Sequence, residues 1–285
     1  MAGDDQRDGS CAKDRTGDGP SGEDVPALRY QNLATYCVCD PILEMPERDR
    51  FGVLTGSAYQ HDLFAKGKRV GIGLQGFSVD LRGGQHFYFQ SASQWRADFH
   101  LKMCPYVCEI RCSYPLIDVA RLQREGRQSI VYADDYAVVH RVLSVELKTK
   151  PGHVHLHGLC YHRREWLRAR ALLRDTDVTL EYFHPQDLPN IEIKNAMTCY
   201  QWLHRSDLNT LRPHAVQFAA RLRDARNHRT LEETLQRIAT ALPCCLDAAY
   251  ELLAASLALG LVRIDPRYEL APHRALHLVR VEVSS

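Results

Sequence analysis

Tyr132-Ala-Asp-Asp-Tyr-Ala-Val138, followed closely by Val145-Glu-Leu-Lys-Thr-Lys150, is the stretch on which the fold turns. It reads as two short strands, about 129–139 and 142–149, joined near His140-Arg141 by a turn short enough to make antiparallel pairing natural. Alternation along the second strand puts Glu146 and Lys148 on one face and Val145 and Leu147 on the other, toward a core. An aspartate on one strand and a Glu-x-Lys on the next would gather two carboxylates and an ammonium, the groups that metal-assisted phosphodiester hydrolysis requires. On this reading Asp135 and Glu146 ligate a divalent metal and the main-chain carbonyl of Leu147 completes the protein's share. Lys148 holds or helps deprotonate the attacking water. Magnesium keeps several waters and suits a site so poor in carboxylates, with manganese as its substitute. The plainer reading is a hairpin whose charged side is solvated.

Working outward, 86–90 reads as a strand and Ser91 opens a helix to about Met103. Ser91-Ala-Ser-Gln94 has the form of a capping box, and Pro105 stops the helix. Residues 107–111 and 116–119 are the next extended segments. Beyond Pro151-Gly152, 163–174 reads as a helix, 178–183 as a strand and 185–189 as a linker. The texture then turns helical. Thr230-Leu-Glu-Glu233 is a second capping box, Asp247 to Leu259 a helix ended by Gly260, and 261–270 a hairpin. Helix, helix and hairpin in that order outline a winged helix.

The 285 residues are 45% hydrophobic and 25% charged, with a formal net charge of +1, as in an ordinary globular chain of one large or two modest domains. Residues 1–28 carry seven acids against three bases, a balance of −4, which leaves +5 on the rest. Rich in Gly, Ser and Asp, they are expected to form a disordered acidic tail. The amino terminus has no basic start followed by an apolar run. The longest apolar stretch, 252–262, is short for a bilayer and interrupted by Ser256 and Gly260. A cytoplasmic protein away from membranes is the expectation. The ten cysteines are then expected as reduced thiols. Cys104, Cys108 and Cys112 recur every four residues, but Cys108, Ile110 and Cys112 also alternate like one buried strand face.

Several short motifs occur together in an order resembling that of the TnsA family, the endonuclease subunits of heteromeric transposases. Ser91-Ala-Ser-Gln94 resembles the family's Ser-x-x-Glu helix motif, and Ile110-Arg-Cys-Ser-Tyr-Pro-Leu116 its Ile-Arg-x-Gln-x-Pro-Leu strand. Ala133-Asp-Asp-Tyr-Ala-Val138 matches Thr-(Pro)-Asp-Phe-Leu-Val, Glu146-Leu-Lys148 matches (Glu/Gln)-Val-Lys, and Ile193-Lys-Asn195 an Ile-x-Asn helix start. The likeness runs from about residue 70 to the end. It implies an α/β fold, a restriction-endonuclease-like mixed sheet with flanking helices over 29–189 (the PD-(D/E)xK nuclease fold), and a C-terminal winged-helix-like domain over 190–285. It further implies a bacterial protein at DNA that cuts the 5′ ends of a mobile element beside a DDE-type transposase. Its double-stranded DNA substrate would be the transposon ends, and its C-terminal domain would engage an AAA+ ATPase regulator.

The helix glutamate of that family is Gln94 here. Two readings follow: Asp98, one turn later, supplies the missing carboxylate, or the site is weakened or inactive and the chain an architectural subunit bridging transposase, ATPase and DNA. Lys66-Gly-Lys-Arg69 and the basic helix with Arg163, Arg164 and Arg168 could follow DNA phosphates or be solvated faces. His153, His155, His157 and His162 cluster with Cys160. At a spacing of four, His153 and His157 would share one side of a helix, as a metal clamp or as its polar edge near DNA.

Overall fold

The computed structural model describes residues 46–49, 53–59, 74, 76–82, 86–89, 91–112, 114, 142–150, 153–160, 163–172, 179–224 and 229–279. The expected acidic tail lies outside them. A hairpin of β1 (Gly76–Val79) and β2 (His86–Phe89) leads into α1 (Ala92–Lys102). Gly76 leaves room in this hairpin for the Phe89 ring, which a Cβ there would meet at 2.6 Å and force to shift. The Ser91 hydroxyl accepts from the Gln94 amide and caps α1 as its sequence predicts.

A four-stranded sheet follows in the spatial order β3 (Val107–Arg111), β4 (Val142–Lys150), β5 (His153–Cys160), β6 (Thr179–Tyr182). β3–β4 and β4–β5 run antiparallel; β5–β6 run parallel, joined by the crossover helix α2 (Arg163–Leu172). Two expectations are corrected here. Residues 142–150 pair with β3 and β5, whereas pairing with 129–139 was expected; both edges of β4 are occupied between Ser144 and Leu147. Residues 116–119 and 129–139 lie outside the described residues. The histidine segment expected to begin a helix is β5, so His153 and His157 are not one helical turn apart. His-Val-His-Leu-His alternates with the period of a strand, and pairing with β4 decides in its favour.

The C-terminal part consists of α3 (Asn190–Leu203), α4 (Leu208–Arg223), α5 (Leu231–Ala241) and α6 (Leu246–Ala258). Two extended arms close it: Ile264 bridges Leu278, and Thr230 bridges Ala275, both antiparallel. The Thr230–Glu233 capping box forms in full. Gly260, at φ 68°, stops the chain after α6 in a conformation that favours glycine. Asn195 on α3 pins the loop between the arms, donating to the Tyr268 carbonyl (2.9 Å) and accepting from the Leu270 amide (2.7 Å).

One apolar cluster gathers Ala97 and Leu101 with Ile110 and Leu159 beside the sheet. The other joins Phe99 and Met103 to α3–α6. Helix α1 thus gives one side to each, and its charged residues tie the two parts together. Arg82 donates to the carbonyls of Lys102 (2.9 Å), Cys104 (3.1 Å) and Ala258 (2.9 Å), satisfying the ends of α1 and α6 at once. His100 meets Glu192 of α3 at 2.7 Å. Arg96 donates to the carbonyls of Pro185 (2.9 Å) and Leu188 and to the Asn190 side chain (2.7 Å). The segment read as a linker is therefore clamped to α1. Arg96→Ala should cost about 3 kcal/mol in urea unfolding, since it orphans these acceptors. A change under about 1 kcal/mol would show that the clamp is not stabilising.

Candidate functional site

The register of the sheet decides what can surround Glu146. Its Cα partner on β3 is Glu109 and on β5 Leu156, so two carboxylate-bearing positions are direct cross-strand neighbours. Ser144 and Lys148 share that side of β4 by alternation. Glu109 is buried and accepts from the Gly56 amide at 2.8 Å. Arg111, two residues along, pairs with Asp49 at 2.8 Å, stands 3.7 Å from Glu109, and lies 4.7 Å from the Tyr114 ring centroid. Asp49, Leu54 and Gly56 therefore lie on this side of β3. Asp49 and Glu109 thus share the Arg111 guanidinium on this side of the strand.

Helix α1 covers the other side of the sheet. Ala97 and Leu101 pack in one cluster with Ile110, whose Cα partner is Val145, and alternation separates these positions from 109 and 146. The register consequently does not bring Gln94 beside position 146. Gln94 lies in the first turn of α1, with its amide on the Ser91 hydroxyl.

Asp98 and Lys102 form an ion pair of 2.7 Å with both side chains fully buried. The Ser78 hydroxyl donates to Asp98, and the Lys102 ammonium donates to Ser78 and stands 4.9 Å from the Tyr200 ring centroid. Burial pushes Asp98 up to about 6, against the downward pull of Lys102. Its carboxylate is thus engaged inside the protein, between α1 and the β1–β2 hairpin. This is a poor position from which to replace a metal-binding glutamate.

Glu146, Leu147 and Lys148 lie on β4 and Arg164 and Arg168 on α2, with their backbone alone described. Arg163 at the start of α2 is exposed, and Arg170 stands 5.1 Å over the Trp166 ring centroid. Asp135, Lys66, Lys68, Arg69 and His162 lie outside the described residues. Cys104, Cys108, Cys112 and Cys160 are buried and in no disulfide among the described residues, and burial pushes Cys112 up to about 12. Among the described residues no group of three or more His, Cys, Asp or Glu is arranged to hold a metal ion.

Sequence reasoning missed two groups. Glu109 could have been found from Glu109 and Arg111 standing two apart on an otherwise apolar strand. Glu181 on β6 is the second: partial burial pushes it up to about 7, and its register partner is Leu159. Nothing in its local sequence distinguishes it, because its environment is made by strand pairing.

No single described helix is long and apolar enough to cross a membrane. No family model and no curated protein matches the chain.

Proposed function

We propose that the chain is a TnsA-like, metal-dependent DNA endonuclease subunit of a transposition machine, acting at DNA in the bacterial cytoplasm. The observation that carries this reading is connectivity. Among the described residues, helix α1, three antiparallel strands, a crossover helix and a parallel fourth strand come in an order compatible with a restriction-endonuclease-like core. Helix α4, the Thr230 bridge, α5, α6 and two paired arms follow that of a winged helix. Finding both layouts in sequence, in a chain whose motifs resemble the same family, favours one origin for all of them.

Asp135 and Glu146 would hold Mg2+ or Mn2+, with the Leu147 carbonyl, and the ion would supply an activated water. Lys148 would orient that water and steady the charge developing on phosphate. Glu109, beside position 146, fits as the further acid on that side better than Gln94 or Asp98. The chain would cut 5′ ends while a DDE-type transposase processes 3′ ends, under an AAA+ ATPase. A second reading, an architectural subunit without cleavage, is favoured by the engagement of Asp98 with Lys102.

Incubating the full chain with Mg2+, its partner transposase and ATPase, and a supercoiled plasmid bearing the element ends should produce nicks with 5′-phosphate and 3′-hydroxyl termini. Assembly of the three proteins on DNA without nicks would overturn the endonuclease reading and leave the architectural one.

A further inference from the structure

Helix α1 gives Ala97 and Leu101 to the cluster beside the sheet and Phe99 and Met103 to the cluster of the helical module. His100 sits where these two parts meet, 1% exposed. Its Nδ1 lies 2.7 Å from the Glu192 carboxylate on α3, and its Nε2 lies 3.8 Å from the Cys104 sulfur one turn later on α1. Phe183 stacks on the ring, 6.1 Å between centroids, and brings no charge. Arg96, one turn earlier on α1, is the permanent cation of this helix face, and its guanidinium is engaged by the Pro185 and Leu188 carbonyls and Asn190. The Glu192 side chain is 15% exposed, so water touches the pair from that side.

The hydrogen bonds favour a charged ring. A neutral His100 that donates from Nδ1 to Glu192 would need a donor for Nε2, and the neighbour there is Cys104. The thiol, however, donates to the His100 carbonyl at 3.3 Å, which turns the sulfur lone pairs toward Nε2. A protonated ring donates from both nitrogens, and its contact with Glu192 becomes a charge-assisted bond from α1 to α3. Burial opposes this charge, but Cys104 and Glu192 outweigh it and raise His100 well above the ordinary 6.5.

We propose that Glu192, His100 and Cys104 form a proton-operated latch, which holds α1 to α3 while the imidazolium bridges them and loosens when the ring loses its proton. The folded chain binds this proton more tightly than the unfolded one. The contribution of the latch is therefore complete below about pH 6.5 and is lost as pH rises through the higher folded value. The device holds whether or not the chain cleaves DNA.

Nuclear magnetic resonance of the imidazole-labelled full chain should show His100 charged at pH 7, with a midpoint above that. In Glu192→Gln the midpoint should fall by about one unit or more, a tenfold loss of proton affinity. Urea unfolding of the unmodified chain, His100→Gln, Glu192→Gln and the double variant measures the coupling across the junction. It should weaken about fivefold or more between one unit below the midpoint and one unit above it. A ring neutral at pH 7, or one that stays charged up to the pH at which the chain unfolds, overturns the proposal, as does a coupling that does not change with pH. If His100→Gln does not fold, the midpoint decides: one unmoved in Glu192→Gln overturns the latch. A pH dependence that survives in His100→Gln and vanishes in Cys104→Ala assigns the proton to the thiol and overturns it too.

Discussion

Replacing Glu146 with Ala should reduce Mg2+-dependent nicking by on the order of a hundredfold or more, with Lys148→Met close behind. Under the endonuclease proposal, each change would take a different group from the reacting centre. Removing Glu146 weakens metal retention, so part of its activity should return at high Mn2+. Lys148→Met should bind metal normally, as read by Ca2+ titration, and fail at the chemical step. Gln94→Glu is the informative companion. Its helix covers the side of the sheet away from positions 109 and 146, so a restored carboxylate should change nicking less than about threefold. A large gain in Gln94→Glu would mean that α1 does contribute to the metal shell. Full activity in Glu146→Ala would remove the β4 site altogether.

The contrast between Gln94 and Glu109 marks where sequence reading stops. The capped helix at Ser91, the strand Val107–Arg111, the Thr230 capping box and the glycine stop at Gly260 were all legible. Each is specified by residues within one or two turns of one another. Strand partnership is not local. Residues 142–150 carry the alternation of a strand wherever they pair, and one of their two partners, β3, comes from a distant part of the chain. The histidines show the same limit. A spacing of four fits one helical turn, but His153, His155 and His157 also fit every second residue of a strand, and the neighbouring strand settles it. Asp98 looked available because a turn of helix separates it from Gln94. Its pairing with Lys102 follows helical spacing within α1, but that it also meets Ser78 depends on the β1–β2 hairpin, which no pattern within α1 reveals.

The buried pair of Asp98 and Lys102 should dominate stability in this half of the molecule. Lys102→Met should lose about 3 to 5 kcal/mol at pH 7, because it leaves a carboxylate buried without its cation. The loss should be smaller at pH 5, where Asp98 can take up a proton and its charge disappears. The direction of the pH effect follows from burial. Asp98 titrates near 6 in the folded protein against 3.8 for the ordinary group, so the folded state holds this proton more tightly than the unfolded chain. Its contribution to stability is present below about pH 4 and is lost as pH rises through about 6. Asp98→Asn keeps the shape and a bond to Ser78 but removes the titration. The difference in urea-unfolding free energy between the unmodified chain and Asp98→Asn should therefore shift against the unmodified chain from pH 4 to pH 7. A difference that stays flat across this interval would mean that Lys102 outweighs burial and holds Asp98 ionised throughout. Lys102→Met would still cost less at pH 5 than at pH 7, because without its cation the buried Asp98 carboxyl takes up a proton as the pH falls.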